Sequence, residues 1–81
     1  EQHGRWESAL SGWTAVLDWE PEAEHAYRGL MRCYLALGRV SEALRAFRRC
    51  QSALAGLGLA PSSETVQLHE QILTASPEQP R

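Results

Sequence analysis

Residues 38–47 read GRVSEALRAF, and residues 4–13 read GRWESALSGW. At an offset of 34 positions Gly4 aligns with Gly38, Arg5 with Arg39, Ala9 with Ala43, Leu10 with Leu44, Gly12 with Ala46 and Trp13 with Phe47. A small residue followed four positions later by an aromatic is what a close helix pair needs. The small side chain admits the neighbouring helix, and the ring fills the gap one turn on. A period of this length belongs to helical repeats, in which each unit is a helix hairpin stacked on the next.

Helical spacing continues on both sides of the repeated stretch. Apolar residues at Trp6, Ala9, Leu10, Trp13, Val16 and Leu17 predict a first helix from Trp6 to about Asp18. DWEPEAE interrupts it, and Pro21 suits the first turn of a second helix, where its missing N–H costs nothing; Glu22 and Glu24 suit the positive helix start. That helix is expected from Pro21 to Leu37, with Ala26, Tyr27, Leu30, Met31, Cys33, Tyr34 and Leu37 forming an arc broad enough for contacts on two sides. Gly38 ends it. A third helix over about 40–55 buries Val40, Ala43, Leu44, Phe47, Cys50 and Leu54. GLGLAPSS is a turn segment, and Ser62 is the expected cap of a fourth helix carrying Thr65, Leu68 and Ile72, flanked by Val66 and Leu73. Period-two alternation is nowhere evident, so the fold class is all-α. Residues 1–75 form the expected domain, and the tail at 76–81, with two prolines and little to bury, is expected to be disordered.

Composition bounds the function. Eighty-one residues make one small domain, and 43% hydrophobic with 22% charged residues suffices for a modest core. The net charge of −2 supplies no overall basic field for nucleic acid. The chain carries neither an apolar run of about 18 residues that would span a membrane nor a secretory signal pattern. Two cysteines, Cys33 and Cys50, are too few for a disulfide framework and lack CxxC spacing, so reduced, buried thiols in the cytoplasm are expected.

The 34-residue spacing resembles the tetratricopeptide pattern. Gly38, Ala43 and Phe47 match the turn glycine and the small and aromatic positions of its second helix, with Ala9 and Trp13 matching them in the preceding copy. Tyr27, Leu30 and Tyr34 match its first-helix positions, and Pro21 the proline between repeats. Residues 24–57 thus resemble one whole unit and 4–23 the back half of another, which implies an array of antiparallel hairpins stacked with right-handed sense. It also implies a front helix upstream, so that the chain is a piece of a longer protein. Residues 21–73 resemble, more specifically, the bacterial transcriptional activator domain, the helical module beside a winged-helix DNA-binding domain in antibiotic regulatory proteins. The matching elements are Glu24, Arg28, Leu30 and Met31, then YLALGR, EALRAFRRC and the LGLAPSSET link to a closing helix. No counterpart of the winged helix lies in the chain, so no DNA-contacting residue is carried over.

The resemblance implies a non-catalytic interaction or regulatory module that positions or restrains DNA binding elsewhere in its protein. The competing reading is a generic tetratricopeptide scaffold that binds a peptide in an unrelated multidomain protein. Arg28 and Arg32, one turn apart on the second helix, fall where such repeats line an inner groove and could pair with acidic groups of a partner. His25, Trp6 and Leu10 complete the candidate partner-binding set. Arg45, Arg48 and Arg49 form a basic stripe best read as a solvated outer face, and LALGRVSEALRAF reads as a repeat hairpin rather than as a DNA-reading helix-turn-helix. Neither a metal, a cofactor nor a catalytic set is implied: His3, His25 and His69 share no ligand spacing, and Glu20, Glu22 and Glu24 are helix-start charges. The expected partner is a protein, namely a neighbouring domain, a second copy or the transcription machinery. With one helix neighbour absent, the first helix is expected to self-associate as a homodimer.

Overall fold

The computed structural model describes residues 2–75, and they form four α-helices: α1 (Gln2–Trp19), α2 (Glu24–Ala36), α3 (Val40–Ala55) and α4 (Ser63–Ala75). The segment at 76–81, expected to be disordered, lies outside the described residues. The helices form a repeat array. α2 packs against α1, α3 and α4, and α3 also packs against α4; among the described residues α1 packs against α2 alone.

Two helices end by the same device. Gly38 has φ +76°, its N–H reaches the Leu35 carbonyl at 3.1 Å, and the Arg39 N–H reaches the Tyr34 carbonyl at 2.8 Å. Gly58 repeats this at φ +74°, with its own N–H on Ala55 at 3.0 Å and the Leu59 N–H on Leu54 at 2.9 Å. The left-handed glycine lets the chain fold back on the last turn and satisfy carbonyls that the helix leaves open.

The second helix starts later than its proline suggested. Pro21 follows Glu20 in a tight turn closed by the Ala23 N–H on the Glu20 carbonyl at 3.0 Å, a position that suits the fixed φ of proline equally well. Its carbonyl accepts the Tyr27 hydroxyl at 2.7 Å, which ties the turn to α2. The first helix also starts earlier than Trp6, at Gln2.

The core is one cluster: Leu17 from α1, Ala26, Tyr27, Leu30 and Met31 from α2, Ala43, Ala46, Phe47, Cys50 and Leu54 from α3, and Leu68 and Ile72 from α4. Ala43 is fully buried, as a close helix approach requires. Trp13 lies on Gly29 so closely that a Cβ there would stand 2.1 Å from its Cε2. On α4, His69 stacks on Phe47 with ring centroids 3.8 Å apart.

Candidate functional site

α1 and α3 are repeat counterparts, 34 residues apart. Ala9, Gly12, Trp13 and Val16 line an open apolar groove of about 360 Å³ along α1. Their equivalents 34 residues on are Ala43, Ala46, Phe47 and Cys50, every one of them buried in the core. The same arc of residues is therefore covered on α3 and open on α1. A Cβ placed on Gly12 would meet nothing within 4 Å.

Trp6 and Leu10, the α1 members of the candidate partner-binding set, are not among the residues that line the groove. Leu17 is 6% exposed and sits in the core, and Leu10 packs against that cluster. Trp13 and Val16 also pack against the core at the groove's edge, and Gly12 is exposed between them. Trp6 is half-buried, and Trp19, at the far end of α1, is 87% exposed.

A second constellation ties α2 to α4. Glu24 Oε2 accepts the Ser62 N–H at 2.7 Å, the Ser62 hydroxyl at 2.9 Å and the Thr65 hydroxyl. Arg28 Nη1 donates to Thr65 Oγ1 at 2.9 Å and stands 3.6 Å from Glu24 Oε2, and its Nη2 lies 3.8 Å from Glu64. Thr65 is fully buried, so its hydroxyl needs these partners. Burial pushes the Glu24 carboxyl up, but the hydrogen bonds from Thr65 and Ser62 and the charge of Arg28 more than offset it, and the group lies below its ordinary value. Ser62 directly precedes α4 and its carbonyl accepts the first helical bond, from Val66 at 3.0 Å, while its hydroxyl donates to Glu24 and lies 3.4 Å from the Thr65 hydroxyl in the first turn.

The candidate partner-binding residues are thus distributed. Arg28 faces α4 and its guanidinium is engaged inside the chain. Arg32 is exposed, and His25 is exposed with its ring edge-on to Trp13 at 5.9 Å. On α3, Arg45, Arg48 and Arg49 are exposed. Arg39 is held by Glu42 through two bonds of 2.6 and 2.7 Å and lies over Tyr34, and Arg49 lies over Tyr27. A hollow of about 180 Å³ between Tyr34, Glu42, Arg45, Ala46 and Arg49 separates these side chains.

Both cysteines are free and buried; burial raises the Cys33 thiol and pushes Cys50 up to about 11, so neither is a ready thiolate. Among the described residues no three His, Cys, Asp or Glu side chains are grouped to hold a metal ion, and no helix is long and apolar enough to cross a membrane.

No curated protein and no solved structure matches the chain. A family model does, over residues 2–73: that of the bacterial transcriptional activator domain. Of the elements of the resemblance, Glu24 and Arg28 on one side and Ser62 and Thr65 on the other meet in the α2–α4 constellation. With the repeat stack and a match across nearly all the described residues, the chain belongs to the bacterial transcriptional activator domain family.

Proposed function

We propose that this chain is a non-catalytic, cytoplasmic regulatory module that works by holding a protein partner, and that it thereby positions or restrains a DNA-binding domain outside its own residues. The observation that carries this reading is the match to the bacterial transcriptional activator domain over residues 2–73, borne by a stack of helix hairpins. Stacked helix hairpins present extended surfaces to partners. Trp6, His25 and Arg32, all open to solvent at least in part, belong to the proposed surface. Leu10 supports it by seating α1 on the core, and Arg28 by tying α2 to α4.

Charge speaks against direct DNA reading. The exposed arginines of α3 carry three charges on one helix in a chain of net charge −2, and base recognition needs hydrogen-bonding groups in a groove as well as phosphate contacts. Titration of the chain into a fluorescent promoter duplex is the test. Weak binding, equal for scrambled duplex and abolished by moderate salt, is expected. Sequence-selective, salt-resistant binding by the chain alone would overturn the reading.

A further inference from the structure

We infer that the hollow between α2 and α3 receives a carboxylate side chain of a partner protein, held by Arg45 and Arg49, so that the partner presents an acidic segment to this side of the array. The inference rests on the protein-interaction reading above and names the chemistry of the contact.

In sequence Arg45, Arg48 and Arg49 form one stripe, and the fold divides it. Arg48 turns toward α4, where its charge acts on His69. Arg45 and Arg49 turn toward α2 and, with Tyr34, Glu42 and Ala46, line the hollow of about 180 Å³. They stand one helical turn apart, so both guanidinium groups serve the same cavity. The helices that the repeat sets beside this hairpin are in place: α1 packs on α2, and α4 on both α2 and α3. The hollow therefore belongs to the hairpin itself and stays open with its neighbours seated.

Charge is unbalanced there. Arg28 lies beside Glu24 and Glu64, and Arg39 is held by Glu42, but among the described residues Arg45 and Arg49 make no ion pair. Glu42, the one carboxylate of the lining, gives both its oxygens to Arg39. The two remaining arginines are exposed, and one of them is already held in place. Arg49 lies over the Tyr27 ring, 5.8 Å from its centroid, and Tyr27 is itself buried with its hydroxyl on the Pro21 carbonyl. A planar guanidinium seated on a ring loses less freedom when it pairs with a carboxylate.

The size and charge of the occupant follow. A hollow of about 180 Å³ is smaller than the roughly 300 Å³ at which small-molecule sites begin, so it suits a single side chain. Arginine forks match the planar carboxylate with paired hydrogen bonds. Glu42 beside them, in a chain of net charge −2, repels the dense charge of a nucleic-acid backbone more than it repels one carboxylate.

Titration of the 81-residue chain into fluorescein-labelled hexaglutamate in low-salt buffer, with circular dichroism of every variant, tests this. Saturable binding is expected in the range of about 0.1–1 mM that a pair of charge-assisted contacts supports. Arg45→Glu and Arg49→Glu should each weaken it about tenfold. Arg48→Glu changes the net charge as much, but on the α4 side, and should alter binding by less than about twofold. Arg49→Lys keeps the charge, loses the planar fork and should weaken binding about threefold. Absence of saturable binding, an equal loss with Arg48→Glu, or tighter binding of scrambled duplex DNA through the same two arginines would each overturn the proposal. Absence of peptide binding together with unselective DNA binding would remove this site and leave the regulatory reading standing.

Discussion

At the scale of single residues, Gly29 and Trp13 make a sharper test of the packing than any larger core side chain. Glycine within a helix costs about 0.5–1 kcal/mol relative to alanine, so Gly29→Ala would stabilise α2 if nothing opposed it. Here the new methyl would stand 2.1 Å from the Trp13 ring, and the indole would have to leave its seat. Overpacking of that kind costs about 1–3 kcal/mol, so the net change should be destabilising. In a Trp13→Leu background the same substitution should lose most of its cost or change sign. Urea midpoints of the four chains check both expectations, and a raised midpoint for Gly29→Ala alone would show that the indole is not held there. Sequence showed Trp13 as a repeat position but gave no reason to notice Gly29, because the contact joins residues on different helices.

Between helices, α4 is held by groups that acid releases. His69 stacks on Phe47, and burial, with Arg48 adding to it, lowers its pKa below the ordinary value of 6.5. The folded state therefore binds fewer protons than the unfolded chain just below that value, and stability falls as pH drops through this window. Glu24, whose pKa is held below its ordinary 4.5, adds stability above that value, and this is lost as pH falls through its lower folded value. Both groups anchor α4, so amide hydrogens of 63–75 should lose protection first on acidification, in two steps, while those of α2 and α3 hold. Uniform loss along all four helices would contradict this. Glu24→Gln should remove the lower step and cost about 1–3 kcal/mol at neutral pH, since the buried Thr65 hydroxyl loses its charged acceptor. The periodic apolar positions of α3 made that helix legible to its ends, and Gly38 marked a real stop. Pro21 misled because proline fits a turn as well as a helix start. The pairing of Glu24 with Thr65 joins positions with no shared period, and only the fold brings them together.

For the whole molecule, the repeat explains both what is closed and what is open. The 34-residue offset was readable in sequence, and with it the all-helical stack. Which side of α1 faces outward was not, because Trp6, Ala9, Leu10, Trp13, Val16 and Leu17 spread over a broad arc, and helix rotation is decided by packing on α2. Leu10 and Leu17 won the inward positions, and the groove fell to Ala9, Gly12, Trp13 and Val16. A regulator that works through this face should fail when the face is blocked, even with its fold and its abundance intact. The most direct measurement is transcription from a target promoter in cells whose full-length regulator carries Gly12→Arg, alongside the melting midpoint of the substituted chain and the regulator's cellular level. Transcription should fall severalfold at unchanged level, with the melting midpoint of the substituted chain not lowered. Undiminished transcription would contradict the assignment of function to this surface.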